Sequence, residues 1–242
     1  MNALIQRLQS RPAMVVLLLI ALVPLGRVPF LVRAEPGRRG PLGSTLAAGF
    51  RGVVGTPSMA FATVTTTVGF AGQAAFLVAI PLLSRAQAGS LASSGWAFGA
   101  TAVGGVLSTL AVARRPLADP DRALALATAI IGLSFLALAL STSFAMTLAC
   151  AFVYGAAEGP LLTALFRVRT REAAPEIRSQ VFTTAASLRT SIFALTTAMF
   201  GALVGHGVSW LLVIGTLMQA LALATAWLTA QAVAARRSPG ST

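Results

Sequence analysis

Long apolar segments dominate this chain and restrict it to one kind of fold. A helix of about 20 apolar residues crosses the ~30 Å hydrocarbon layer of a bilayer, and the segments have about this length. They are too long and too uniformly apolar for barrel strands, which alternate over about ten residues. The sequence therefore predicts an all-α, polytopic membrane helical bundle. Its segments lie at residues 13–32, 57–82, 89–112, 122–141, 143–166, 179–203 and 208–231.

The composition of the chain favours a membrane protein over other classes. Of its 242 residues, 56% are hydrophobic and 10% are charged, whereas soluble domains carry about 25% charged residues. The formal net charge is +12 and there is no Lys. The Arg residues lie in short clusters between apolar segments, as in loops beside anionic lipid headgroups. This distribution argues against nucleic-acid binding and makes the lipid bilayer the expected partner.

Few residues of the chain are suited to enzyme chemistry. The single Cys, Cys150, lies inside an apolar segment, and the single His is His206. An intrachain disulfide, a Cys/His metal cluster and lysine-based Schiff-base chemistry are therefore excluded. We expect no enzyme activity, no metal and no cofactor. His206 lies between Gly205 and Gly207 and is interpreted as a loop residue, with pH sensing as the alternative.

The distribution of Arg predicts how the segments are oriented. Fourteen Arg residues follow the first, third, fifth and seventh segments, whereas the opposite side has only Arg7, Arg11 and Arg85. Because cytoplasmic loops are enriched in Arg and Lys, we expect the C-terminus in the cytoplasm and the N-terminus outside. Trp96 and Trp210 begin segments on the outer side, where indole rings favour the headgroup boundary.

The apolar segments divide the chain into four regions. Leu42 to Val54, in the Gly-, Pro- and Arg-rich second region, is amphipathic and can lie along the inner membrane surface as a short helix. The first region also fits a signal peptide, but Arg27 and Arg33 directly after its apolar run favour a retained helix. The regions are an N-terminal transmembrane helix, a cytoplasmic linker, six further transmembrane helices and a disordered cytoplasmic tail, at residues 1–33, 34–56, 57–235 and 236–242.

Several motifs in this sequence resemble the C-terminal half of the major facilitator superfamily. The stretch from Gly155 to Pro160 (GAAEGP), followed by Arg167 and residues 172–181 (EAAPEIRSQV), is similar to the family's tenth helix, the next cytoplasmic loop and the start of its eleventh helix. Residues 104–116 are similar to the family's signature loop, although they lack its Asp and second Gly. The cytoplasmic loop motif comprises Arg167, Arg171, Pro175 and Arg178.

The resemblance implies the sixth to twelfth helices of a twelve-helix secondary transporter. In this family the substrate binds between two six-helix halves, which rock against each other. The expected function is secondary active transport, as proton-coupled efflux (antiport) of a small organic or drug-like molecule, with a second transporter half as partner. The alternatives are a truncated or partner-dependent membrane protein without transport of its own, and a seven-helix receptor. The absence of Lys and the Ala, Gly and Arg bias favour a bacterial inner membrane.

Two ionisable side chains lie deep inside apolar segments. Glu158 and Arg189 lie ~14 Å and ~16 Å from the inner interface, at a rise of 1.5 Å per residue. Because unpaired charge is costly at that depth, such groups pair or face a water-filled cavity. In one hypothesis Glu158 takes up and releases a proton, and Arg189 tunes its pKa or binds an anionic group. In the other, the two form a fixed ion pair within hydrogen-bonding distance.

Other residues of the segments are candidates for contact with a substrate or a helix. Uncharged polar side chains at mid-depth can face a substrate cavity or form hydrogen bonds between helices. Glycine pairs at four-residue spacing are expected to permit close helix packing. The cavity candidates are Gln73, Tyr154 and Gln219, and the glycine pairs are Gly95/Gly99, Gly155/Gly159 and Gly201/Gly205.

Overall fold

Six α-helices make up most of the region that the structure describes. The computed structural model describes residue 52 and residues 55–237. Within residues 55–237 there is no strand, and the all-α prediction is confirmed. The predicted first helix, the interfacial helix apart from Gly52, and residues 238–242 of the tail lie outside the described residues. The helices are α1 (Pro57–Ala88), α2 (Ser94–Arg114), α3 (Pro120–Ala139), α4 (Phe144–Glu172), α5 (Arg178–Ala202) and α6 (Val208–Arg237), with short 3₁₀ helices at Leu91–Ser93 and Val204–His206.

The helix ends follow from local sequence. Thr56 caps α1, because its hydroxyl accepts a hydrogen bond from the Met59 N–H at 3.1 Å, and Pro57 occupies the first helical position. Proline is suited to that position, where its missing N–H has no partner to lose. At the other end Gly89 has φ 74°, a left-handed conformation that glycine adopts without strain.

Five of the six helices are long and apolar enough to cross a membrane. They are α1, α2 with its preceding 3₁₀ helix, α3, α4 and α6, and they are consistent with a multi-pass membrane protein. The fifth helix, α5, has the length but not the composition, since eight of its 25 residues are Ser or Thr. The sequence predicted six crossing helices in this region, and α5 is the one whose apolar character falls short.

The helices pack in an order that leaves α2 and α5 at the two ends of the bundle. Each helix packs mainly against the next in the order α5, α1, α6, α3, α4 and α2, and α1 also contacts α4. The core contains Phe76 of α1, Phe135 of α3 and Tyr154 of α4, whose ring centroids are 4.3–6.0 Å apart. Because α5 packs mainly on α1, it makes little direct contact with α4.

Helix α4 is longer than its apolar segment. It continues to Glu172, whereas the predicted segment ends at residue 166. The sequence therefore assigned Arg167, Arg169 and Arg171 to a loop, and this assignment was wrong. Arg has a high helix propensity, and cations in the last turns of a helix interact favourably with the negative end of its dipole.

Three glycines allow α2 and α4 to approach closely. A Cβ atom at Gly155 would collide with the Thr101 carbonyl of α2, and one at Gly104 would collide with the Phe152 carbonyl of α4. A Cβ at Gly159 would also meet α2 side chains. The packing prediction is thus confirmed for Gly155 and Gly159. It was wrong for the other two pairs, because Gly95, Gly99, Gly201 and Gly205 all face open space.

Candidate functional site

The ionisable residues inside the bundle lie along one seam, where α4 faces α1 and α5. Glu158 and Arg169 are eleven residues apart on α4, which is about three helical turns, so both project from the same face. Arg189 approaches this seam from α5, and its Cζ atom lies 4.3 Å from the ring centroid of Phe70 on α1. We call this region, with Phe70, Glu158, Arg169 and Arg189, the charged seam.

Glu158 has Tyr154 beside it and Arg189 at longer range. The carboxylate interacts with the Tyr154 hydroxyl, one turn earlier on α4, and electrostatically with Arg189. The ion pairs among the described residues, all with N···O distances within 4.0 Å, do not include Glu158 and Arg189. The prediction of a fixed ion pair within hydrogen-bonding distance was therefore wrong. The physical reason is that the Arg189 guanidinium stacks on Phe70 instead, as a cation–π pair.

Arg169 is the residue of the seam that sequence reasoning missed. It is only 2% exposed, although the sequence placed it among loop residues. Its Nε and Nη2 atoms are buried without a hydrogen-bond partner. The eleven-residue spacing from Glu158 was the available signal, because it places both residues on one face if the helix continues.

The three candidates for substrate contact are buried and bond to other helices. Tyr154 donates its hydroxyl hydrogen to Gln73 Oε1 at 3.3 Å, which links α4 to α1. Gln219 Nε2 donates to the Gly69 carbonyl at 2.8 Å, which links α6 to α1. Each of these side chains therefore forms a hydrogen bond between helices, which was the alternative to substrate contact. Substrate contact by these residues stays a prediction.

Two of the four residues of the predicted loop motif, Arg167 and Arg171, hold the end of α4 against its neighbours. Arg167 Nη1 donates to the Leu117 carbonyl at 2.7 Å, and Arg171 Nη2 pairs with Asp121 at 3.0 Å. Asp121 also accepts a hydrogen bond from Ser58 at 3.3 Å, so α1, α3 and α4 meet at this carboxylate. Of the other members, Arg178 bonds the Ala173 carbonyl at 3.4 Å and Pro175 is exposed in the turn before α5.

The remaining chemically active side chains do not join the charged seam. His206 is exposed in the turn before α6, where its Nδ1 lies 3.3 Å from the Leu203 carbonyl. Cys150 is half-buried. No group of three or more His, Cys, Asp or Glu side chains suited to a metal occurs in the part of the chain that the structure describes.

One apolar groove of the bundle contains none of these charged residues. It has a volume of about 390 Å³ between α3 and α4, and its lining is apolar, with Leu126, Ile130, Val153 and Pro160 among the residues. An apolar, laterally open groove on the surface of a membrane bundle suits lipid acyl chains better than a polar substrate. The charged seam is therefore the stronger candidate for a functional site.

Comparison with known proteins does not assign a family or a function to the chain. No protein-family model matches the chain, and no curated protein or solved structure matches it.

Proposed function

We propose that the chain carries out secondary active transport, as proton-coupled efflux of a small organic or drug-like molecule, within a twelve-helix transporter. The observation that carries the proposal is the position of Glu158, a carboxylate on the charged seam of a largely apolar bundle. Ionisable residues inside membrane helices are rare, because they are costly to hold there, and they mark ion or substrate pathways.

The proposed mechanism uses the side chains around this carboxylate. Glu158 takes up a proton when the seam is open to one side of the membrane, and it releases the proton when the seam is open to the other side. The Tyr154 hydroxyl provides a neighbouring hydrogen-bonding group, and the positive charge of Arg189 favours the ionised carboxylate after release. The lack of a short ion pair between Glu158 and Arg189 supports this use, since a tightly paired carboxylate would be harder to protonate.

The requirement for a second half rests on the family resemblance and on the polar side chains that α5 exposes. The outward side of α5 exposes the hydroxyl-bearing residues Thr183, Ser187, Thr190 and Ser191. In a crossing helix, such a side is better suited to another helix or to water than to lipid tails. This observation also favours the second candidate, a partner-dependent membrane protein without transport of its own.

The location and orientation belong to the proposal as well. We place the chain in the inner membrane of a bacterium, with its N-terminus outside and its C-terminus in the cytoplasm. The Arg-rich end of α4 supports this orientation, as does Trp96 near the start of α2, which is 74% exposed. A membrane-impermeant maleimide should label Ser90→Cys from outside and leave Ser238→Cys unlabelled in intact cells, in a Cys150→Ser background. The reverse pattern would overturn the orientation.

Transport is tested in proteoliposomes that contain the purified chain at increasing protein-to-lipid ratios. Trapped pyranine reports proton movement, and ethidium serves as the organic probe. We expect ethidium-coupled proton movement that rises steeply with the ratio, because two halves must meet. Glu158→Gln should abolish this movement, whereas Glu176→Gln, at an exposed carboxylate in the turn before α5, should retain it.

The same assay separates the two candidate functions. A chain that is inert to ethidium and other lipophilic dyes at every ratio would favour the partner-dependent protein. Proton movement that persists in Glu158→Gln would contradict the proposed role of this carboxylate.

A further inference from the structure

The inner part of the charged seam holds a positive charge without a partner. Arg169 is 2% exposed, and two of its guanidinium nitrogens are buried and form no hydrogen bond. A buried cation is normally paired with an anion, because burying an unpaired charge is costly in free energy. Arg169 lacks the partner that its surroundings require.

The carboxylates in the described part of the chain do not provide that partner. Glu158 lies about three turns away, or ~16 Å along α4, and interacts with Tyr154 and Arg189. Glu176 is exposed. The others form ion pairs with different arginines: Asp119 with Arg122, and Asp121 and Glu172 with Arg171.

A second guanidinium increases the positive charge at this place. Arg189 stacks on Phe70, and its positive charge interacts unfavourably with that of Arg169. The seam thus contains two cations and one carboxylate. An oxyanion held by the two guanidinium groups would relieve the repulsion and satisfy the free nitrogens, since guanidinium matches carboxylate and phosphate oxygens in a bidentate geometry.

We propose that Arg169 and Arg189 form a binding site for one oxyanion, a carboxylate or phosphate group, on the seam between α1, α4 and α5. The site does not depend on transport, and it can be occupied whether or not the chain moves a substrate. The oxyanion has two sources. One is a phospholipid headgroup, because Arg169 lies close to the Arg-rich end of α4, and the other is a soluble organic or inorganic anion.

Thermal unfolding of the full-length chain in an uncharged detergent tests this proposal. Intrinsic tryptophan fluorescence follows unfolding in the presence of inorganic phosphate, benzoate or phosphatidylglycerol, with sodium chloride at equal ionic strength as the reference. Binding to the folded state raises the midpoint with the logarithm of ligand concentration. We expect a rise of several degrees above the chloride reference. A rise with phosphate or benzoate identifies a soluble anion, and a rise with phosphatidylglycerol alone identifies the headgroup.

Substitutions separate the site from general screening of charge. Arg169→Gln should remove the anion-dependent rise and should unfold at a higher temperature than the wild type without anion, because the unpaired charge is gone. Arg85→Gln removes an exposed positive charge and should retain the full rise. Arg169→Lys should reduce the rise, since it keeps the charge but loses the planar fork.

Two results would overturn the proposal. One is a wild-type midpoint that no anion raises above the chloride reference. The other is an equal rise in the wild type, Arg169→Gln and Arg189→Gln, which would show screening of surface charge only. If Arg169→Gln does not fold, the comparison of Arg189→Gln and Arg169→Lys with Arg85→Gln gives the same decision.

Discussion

The two sides of α4 contact the neighbouring helices through different kinds of interaction. Toward α2, Gly155 and Gly159 bring the two helix backbones together, and shape determines the contact. Toward α1 and α5, the same helix presents Tyr154, Glu158 and Arg169, and two guanidinium nitrogens of Arg169 have no hydrogen-bond partner. The two glycines and the acidic residue lie within five consecutive residues. The α2 contact therefore depends on shape, whereas the contact on the charged seam depends on charges and hydrogen bonds.

The largest effect should come from filling the glycine contact. Gly155→Ala places a methyl group against the backbone of Thr101, which cannot move aside as a flexible side chain can. We expect the free energy of unfolding to fall by about 3 kcal/mol, the upper part of the usual range for overpacking. Unfolding by SDS in mixed micelles measures the change.

The matched control for that substitution is Gly99→Ala on α2. A Cβ at Gly99 meets open space, so replacing glycine within the helix should stabilise the protein by about 0.5–1 kcal/mol. Equal losses of stability in both variants would contradict the difference between the two sides of α4.

A smaller effect is expected from the charges of the seam. Glu158→Gln leaves Arg189 without its neighbouring negative charge, and we expect a loss of about 1–2 kcal/mol, below the 3–5 kcal/mol of a broken buried ion pair. Arg189→Gln in the same chain should recover part of this loss, with a coupling energy of about 1 kcal/mol in a double-mutant cycle.

The glycine contact provides the comparison for this cycle. Gly104→Ala and Glu158→Gln act on opposite sides of α4, and their effects should add within about 0.5 kcal/mol. Additive effects of Glu158→Gln and Arg189→Gln would show that the two charges are not coupled in the folded chain.

The smallest effect concerns the hydrogen bond between α4 and α1. Tyr154→Phe leaves Gln73 Oε1 without its donor, and we expect a loss of about 1 kcal/mol in the same unfolding experiment. Adding Gln73→Met should restore much of the stability, because both polar partners are then replaced by apolar groups. A double variant less stable than Tyr154→Phe would indicate another role for Gln73.

The sequence predicted the helices better than their contacts. Apolar length placed α3 and α5 within two residues of their observed ends, because the change from apolar to turn-forming residues is sharp there. It failed at the end of α4, where Arg residues continue the helix beyond the apolar segment. Hydropathy reports where lipid can surround a helix, whereas helix propensity decides where the backbone stops.

The charged seam shows a second limit of sequence reasoning. Matching depth on antiparallel helices suggested an ion pair between Glu158 and Arg189, but depth contains no information about lateral neighbours. Phe70 is distant in sequence from both, and the Arg189 guanidinium stacks on its ring. In the same way, Gly95/Gly99 and Gly155/Gly159 have identical spacing, but their surroundings differ. Gly155 and Gly159 pack against α2, whereas Gly95 and Gly99 face open space.

The composition of α5 has a consequence for biosynthesis. A helix rich in Ser and Thr, with Arg189 in its middle, is a poor candidate for insertion into lipid by itself, since a central Arg costs about 2.5–3.5 kcal/mol on insertion scales. Its packing surface and the aromatic partner of Arg189 are provided by α1, which is synthesised earlier. We therefore expect membrane integration of α5 to require that α1 is already available beside it, and truncations that remove α1 should leave α5 outside the bilayer.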